Sequence, residues 1–274
     1  MAKSKYTPQN LKSTMEREIL IKVDYEGVGD IEEFVKVNKS HFNLFSRYNK
    51  LTRNEVEIKV MPQYIRERNI PMSEPTTQIV HHFYRNKEGE ESVVMDVCDS
   101  TAYIQIRLSF GTSSRGMEPY SKLMAEFIKK LLNSDSFIHV TRIGMRKKNF
   151  YYIKENDNVS DVLEKDIWSQ YVDADNGILP TRKVYADFLT VEPSKVNLNF
   201  QQIAEKVEKI DTKEKFIRII VDSDAYVDQN RLDQLNLKND IVTKNLLRND
   251  MNELLFKFYV TAYKESFLDQ YYNP

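Results

Sequence analysis

Residues 78–110, QIVHHFYRNKEGEESVVMDVCDSTAYIQIRLSF, decide the fold class of this chain. Three segments in this stretch alternate apolar and polar side chains and are rich in β-branched and aromatic residues: Gln78–Tyr84, Ser92–Cys98 and Ala102–Phe110. That pattern is typical of half-buried strands. The turn-forming sequence NKEG at 86–89 joins the first two segments. Because such short connections reverse the chain, they predict antiparallel neighbours.

The same alternation recurs on both sides of this stretch. Further strands are predicted at Glu18–Tyr25, Glu55–Met61, His139–Ile153, Val184–Val191, Val196–Phe200 and Phe216–Val221. Helical periodicity predicts helices at 30–47, 119–132, 162–172 and 240–271, and residues 62–77 and 111–116 read as connections. We therefore expect an α+β fold in which amphipathic helices pack on one or more antiparallel sheets, with a long C-terminal helix.

The chain divides into three regions by pattern. Residues 1–16 read as a flexible tail, residues 17–155 as an N-terminal α/β half and residues 156–274 as a C-terminal α/β half. The order of elements hints at a second copy of the first half in residues 184–271, but no sequence repeat supports a duplication. Two separate domains and one continuous domain both remain open.

The composition indicates the cellular compartment and disfavours some classes of function. The single cysteine, Cys98, excludes an intramolecular disulfide and fits a reducing compartment. The polar N-terminus and the absence of an apolar run of about 20 residues predict a cytoplasmic protein without a membrane partner. Lys and Arg number 40 and Asp and Glu 41, so the chain lacks the overall basic excess of a dedicated duplex binder.

Motifs for cofactor binding and catalysis are missing from the sequence. The 7 glycines form neither GxGxxG nor GxxxxGK[ST], so we expect no nucleotide loop and no cofactor. HExxH, CxxC and GxSxG do not occur. His81 and His82 are adjacent in a predicted strand, so they point to opposite faces and are poorly placed to share a metal.

A basic and aromatic strip at 142–152 is the most distinctive candidate site. Its tentative binding residues for nucleic acid or a partner are Arg142, Arg146, Lys147, Lys148, Tyr151 and Tyr152. Cations neutralise phosphates and aromatic rings stack on unpaired bases. The same pattern is more typical of an ordinary strand whose charged face is solvated and whose aromatic residues fill the core.

Two carboxylate patterns suggest metal-dependent chemistry. Asp222, Asp224 and Asp228 follow a strong strand and could hold Mg²⁺ or Ca²⁺ through oxygen ligands, although aspartates also serve as turn residues. The glycine and the closing glutamate of an EF-hand loop are absent. Glu57 and Lys59 form an E-x-K triplet of the kind found in metal-dependent nucleases, and such a triplet also arises by chance in a chain that is 30% charged.

Two segments carry a family resemblance. VTRIGMRKKNFYYI at 140–153 resembles the RIGLRYIN segment of a sporadically distributed family of uncharacterised bacterial proteins, with Lys147-Lys148-Asn149 in place of tyrosine–isoleucine–asparagine. NELLFKFYVTAYKESFLDQY at 252–271 is similar to the closing helix of that family. The resemblance implies an accessory protein of bacterial or phage origin, in phage–host conflict or a toxin–antitoxin-like system.

These observations lead to three hypotheses. The first is a non-enzymatic binding protein that acts through a protein partner, and that partner could be a second copy of the chain. This hypothesis rests on the lack of catalytic motifs and on the 16 tyrosines and 14 phenylalanines, because aromatic residues are enriched at interaction surfaces. The second is nucleic-acid binding through the strip at 142–152. The third is a metal-dependent hydrolase.

Overall fold

The computed structural model describes residues 5–7, 15–58, 73–87, 91–109, 116–165, 181–192 and 194–271, with side chains at all of these except 54–58, 73–76 and 87. Nine strands form one antiparallel sheet: β1 (Glu16–Glu26), β2 (Arg47–Ile58), β3 (Ser73–Lys87), β4 (Glu91–Val97), β5 (Thr101–Leu108), β6 (His139–Lys154), β7 (Arg182–Val191), β8 (Val196–Glu208) and β9 (Lys215–Asp228). Their order across the sheet is β2-β3-β4-β5-β1-β6-β9-β8-β7. The predicted α+β class with antiparallel strands is confirmed.

In the part of the chain that the structure describes, the helices are α1 (Ile31–Val37), α2 (Glu118–Ser134), α3 (Gln229–Leu232), α4 (Asp240–Asn245), α5 (Glu253–Ala262) and α6 (Glu265–Leu268). Between α4 and α5, a π-helical segment at Leu246–Asn252 completes one continuous helix from Asp240 to Ala262. Within the described residues, no helix combines the length and apolar character needed to cross a membrane.

The predicted helix at 30–47 is too long. Helix α1 ends at Val37, a 3₁₀ turn follows at Lys39–Phe42, and β2 already begins at Arg47. Asn38 is the C-cap of the helix, and its side-chain amide donates to the carbonyl of Phe34. Short polar side chains compete for backbone groups in this way, so they stop helices.

The predicted helix at 240–271 also ends early, at Ala262. Tyr263 is extended and forms a β-bridge with Leu163, and the N–H of Glu164 donates to the carbonyl of Ala262. These long-range backbone bonds replace helical ones. They also show that the described part of the helix predicted at 162–172 is not helical, while its centre at Trp168 lies outside the described residues.

The main helices pack on one side of the sheet, which we call the helix-covered face. Phe127 of α2 contacts Tyr25 of β1 and Phe34 of α1, and Phe258 of α5 contacts Phe200 of β8. Strand alternation places every second strand residue in this core, and the remaining residues form the outer face. One outer row crosses the sheet from Leu20 through Arg146, Asp224 and Asn199 to Phe188.

The two halves of the chain share this sheet. Strand β6 of residues 17–155 pairs with β9 of residues 156–274, and one hydrophobic core contains residues from both halves. Parts of the predicted tail also join the core, since Tyr6 and Met15 are both buried. The Tyr6 hydroxyl donates to Asp269 Oδ1 at 2.8 Å, which ties the N-terminal region to the end of the chain.

Candidate functional site

Two motifs that are far apart in sequence meet on the outer face. Strands β6 and β9 are antiparallel neighbours, and their register places Arg146 opposite Asp224 and Lys148 opposite Asp222. Cross-strand partners of this kind lie on the same face with their side chains about 5 Å apart. The basic strip and the aspartate cluster are therefore parts of one surface.

The strongest contact in this surface joins Arg146 to Asp222. Arg146 donates two hydrogen bonds to the carboxylate, at 2.8 Å from Nε and 2.6 Å from a terminal nitrogen. Lys148 lies 4.0 Å from the same carboxylate. The Asp222 side chain is 7% exposed, and the hydrogen bonds to it raise the pKa of Arg146. Two-point arginine–carboxylate contacts are among the stronger ion pairs in proteins.

A second pair continues the network. Arg142 donates to Asp224 at 3.2 Å, and its guanidinium lies 4.3 Å from the centre of the Tyr226 ring. Burial raises the pKa of Asp224, while Arg142 and Arg146 oppose that shift. On the neighbouring strand β1, Lys22 pairs with Asp24 at 2.8 Å. The charges of three adjacent strands thus balance one another.

A small depression lies at the centre of this network, over Gly144. It has a volume of about 160 Å³ and is lined by Lys22, Asp24, Arg142 and Arg146 among others. Gly144 has no side chain to fill the space, and a Cβ there would lie 3.3 Å from Tyr226 Cβ. The depression is walled by opposite charges that already pair with each other, so it offers little uncompensated charge to a ligand.

The predicted metal set is not assembled by this geometry. Asp222 and Asp224 are each paired with an arginine. Asp228 is the last residue of β9, where it lies opposite Arg142, and it is also the N-cap residue of α3. Across the part of the chain that the structure describes, no group of three His, Cys, Asp or Glu side chains is placed to hold a metal. Lys59 lies outside the described residues, and only the backbone of Glu57 is described.

The strip at 142–152 is split between the two faces of the sheet. Arg142, Arg146, Lys148 and Tyr152 lie on the outer face. Tyr151 lies on the helix-covered face, where its ring meets that of Phe267 edge-on at 4.7 Å. Lys147 is buried on that same face. A period of two residues makes this division unavoidable in a strand, so the six residues do not form one binding surface.

A further polar cluster lies on the outer face around Asp96 of β4. Its carboxylate accepts a hydrogen bond from His82 Nδ1 at 2.6 Å and one from Arg53 at 3.2 Å, and the Tyr103 hydroxyl also donates to it. A neutral His82 ring that donates from Nδ1 has Nε2 as its acceptor, and this is the arrangement that orients catalytic bases. No described side chain hydrogen-bonds to Nε2, so a nucleophile is not in place.

This cluster could have been predicted from the sequence, because the predicted hairpin brings His82 close to Asp96. Strand β3 continues through Asn86 and Lys87 of the predicted turn, which pair with Ser92 and Glu91 of β4, and this register pairs His82 with Asp96. His81 points to the opposite face, as predicted, where its Nδ1 lies 3.0 Å from the Tyr48 hydroxyl. Burial lowers the pKa of His81.

No protein-family model matches this chain, and no curated protein is significantly similar to it. The resemblance of residues 140–153 and 252–271 to the RIGLRYIN family stays a prediction. The function proposed below therefore rests on the geometry of the described residues.

Proposed function

We propose that this protein is a non-enzymatic binding protein that engages a protein partner through the outer face of its sheet. The observation that carries the proposal is the two-point pairing of Arg146 with Asp222. Together with the Arg142–Asp224 pair, it turns a strip that reads as basic in sequence into a surface of balanced charge.

Balanced charge favours a protein over a nucleic acid as the partner. Affinity for nucleic acid comes largely from cations that neutralise phosphates. For Arg146 or Arg142 to contact a phosphate, each would first have to leave its carboxylate, and the released Asp222 and Asp224 would repel the same phosphate. Protein surfaces carry both signs of charge, so they can complement such a network without breaking it.

Exposed apolar side chains lie near one edge of the outer face and could contact a partner. Phe188 on the edge strand β7 is 75% exposed, and Val184 on the same face of that strand is half exposed. Tyr152 lies further along the outer face, in a depression of about 390 Å³ that Phe216 and Arg218 also line. Exposed aromatic residues beside a polar network are the composition that protein interfaces favour.

Two other functions remain as alternatives. Nucleic-acid binding would use Arg142, Arg146 and Lys148, which share the outer face. A metal-dependent hydrolase would use Asp222, Asp224 and Asp228, and it would need the first two to give up their arginine partners. A wider role in phage–host conflict or a toxin–antitoxin-like system follows from the family resemblance alone.

The test compares two phenylalanines of equal exposure. Phe188 lies on the outer face and Phe137 lies in the loop before β6, and both are 75% exposed. Tagged wild-type protein, Phe188→Ser and Phe137→Ser are used to capture partners from the native host with and without nuclease, and the bound proteins are quantified. Light scattering of the purified protein shows whether the partner is a second copy.

We expect a stoichiometric protein partner that survives nuclease, is depleted by Phe188→Ser and is retained by Phe137→Ser. A partner retained equally by both variants would place the interface elsewhere. Recovery that disappears with nuclease would move the assignment to the nucleic-acid alternative.

A further inference from the structure

Two cationic side chains lie on the helix-covered face, between the sheet and the C-terminal helix. Lys147 of β6 is 8% exposed, and its Nζ donates a hydrogen bond to Asn252 Oδ1. Arg17 of β1 donates from Nε to Asn149 Oδ1 at 2.6 Å, and its guanidinium lies 5.2 Å from the centre of the Tyr259 ring. All of these partners are neutral.

The positive charge at this place is not balanced by any acid in the described part of the chain. Among the residues that the structure describes, no carboxylate pairs with Lys147 or Arg17. Burial, with a smaller contribution from the charge of Arg17, lowers the pKa of Lys147 to about 7. Buried cations in proteins are ordinarily paired with an anion because an isolated charge is costly to remove from water. Within the described residues, Lys147 and Arg17 therefore have no anionic partner.

Asn252 also lines a cavity. It has a volume of about 690 Å³, and Asn252 lines it together with the apolar side chains of Tyr6, Leu254 and Phe256. Asn252 is the last residue of the π-helical segment Leu246–Asn252, and such segments are rare and occur frequently at functional sites. The Asn252 amide is thus the only described partner of Lys147 Nζ and also part of the cavity wall.

The charges around the cavity restrict the anion that it can accept. Its lining includes three acids, Glu118, Asp250 and Glu253, and two bases, Arg248 and Lys257. Arg248 is already paired with Glu118 at 2.7 Å. A dianion such as phosphate would be repelled by the acidic rim more strongly than a group with one negative charge.

We propose that this cavity binds a small organic carboxylate with an apolar body. Its carboxylate displaces Asn252 Oδ1 and accepts a hydrogen bond from Lys147 Nζ, while its apolar part contacts Leu254 and Phe256. The ligand supplies the negative charge that Lys147 and Arg17 lack. This site lies on the opposite face of the sheet from the partner-binding surface proposed above and is independent of it.

The test uses hexanoate as the probe on the full chain, with hexanol and inorganic phosphate as comparisons. Binding is measured by calorimetry for wild type, Lys147→Met and Lys148→Met. Both variants remove one lysine charge from neighbouring positions of β6, and only Lys147 lies on the helix-covered face. In wild type, the pKa of Lys147 is followed by ¹³C NMR of the lysine ε-carbon with and without hexanoate.

We expect saturable hexanoate binding that Lys147→Met weakens by about tenfold or more and Lys148→Met leaves unchanged. Hexanoate should also raise the pKa of Lys147, because a bound anion stabilises the charged amine. Equal affinity in the two variants, an unchanged pKa, or phosphate and hexanol binding as well as hexanoate would each overturn the proposal.

Discussion

Arg146 and Asp222 lie two residues out of register on adjacent strands and still form a two-point ion pair, with N–O distances of 2.8 and 2.6 Å. The direct strand partner of Asp222 is Lys148, whose Nζ lies 4.0 Å away. Asp222 thus neutralises cations at two positions of the strip. This relationship explains why a strongly basic segment belongs to a surface without excess positive charge.

The first prediction concerns the stability that Asp222 provides. Asp222→Ala should lower the free energy of unfolding by about 1–3 kcal/mol, because it removes a nearly buried acceptor of charged hydrogen bonds. The lower part of this range is expected, since Arg146 is 42% exposed and regains water when its partner is lost. Urea unfolding measures the difference. Asp211→Ala changes an exposed aspartate and should stay within about 0.5 kcal/mol of wild type.

The second prediction concerns Asp96, which three side chains use as their acceptor. Asp96→Ala should lower the free energy of unfolding by about 2 kcal/mol, because His82, Arg53 and Tyr103 all lose that acceptor. Asp211→Ala is again the control, because that aspartate is exposed. Similar unfolding midpoints for the two variants would mean that the cluster contributes no stability.

A third prediction follows from the backbone at Gly27. Its φ is +85°, and a Cβ there would lie 2.2 Å from the carbonyl oxygen of Phe137. Gly27→Ala should therefore cost about 2–4 kcal/mol, from both the strained backbone and the clash. Gly29→Ala is the control, because a Cβ at Gly29 meets no atom within 4 Å. Thermal unfolding of the two variants should differ clearly, and equal stability would contradict the turn geometry.

The fourth prediction concerns the pH dependence that Lys147 causes. Its pKa is about 7 in the folded protein and near the ordinary 10.5 in the unfolded chain. Between these values the unfolded state binds the additional proton, so the free energy of unfolding contributed by this group rises with pH. The slope is at most about 1.4 kcal/mol per pH unit.

Lys147→Met removes this titration and serves as the reference for it. The variant should be more stable than wild type near pH 7, and its advantage should shrink as the pH rises toward 10. Urea unfolding at several pH values measures the difference between the two proteins, which cancels the other titrating groups. A difference that does not change with pH would show that Lys147 has an ordinary pKa.

Much of the fold could be predicted from local sequence. Each of the nine strands of the described sheet overlaps a predicted strand, because a sheet with one buried face imposes a two-residue period. Some bounds are wrong: β2 begins at Arg47 rather than Glu55, and β3 begins at Ser73, inside the predicted connection at 62–77. Other errors lie where long-range contacts override local pattern. Tyr263 is not helical because it forms a β-bridge with Leu163, and the sequence around Tyr263 does not predict that bridge.

The candidate site was less predictable, for the same physical reason. The strip at 142–152 and the aspartates at 222–228 were recognised, but the sequence does not state that β6 and β9 are neighbours. Without that pairing, the same residues suggest a phosphate site and a metal site. Lys147 and Lys148 are adjacent in sequence, and only strand alternation separates a buried amine from an exposed one.

We propose that Asp222 and Asp224 neutralise the strip and so direct the outer face away from nucleic acid. The most direct measurement is a fluorescence-anisotropy titration of a labelled single-stranded oligonucleotide at low and near-physiological salt. It compares wild type, the Asp222→Asn/Asp224→Asn variant, and an Asp211→Asn/Asp233→Asn variant that loses the same charge at exposed positions outside the Arg142–Asp224 and Arg146–Asp222 pairs. We expect negligible binding by wild type and the control, and salt-dependent binding only by the Asp222/Asp224 variant. Tight wild-type binding that falls steeply with salt would contradict the account.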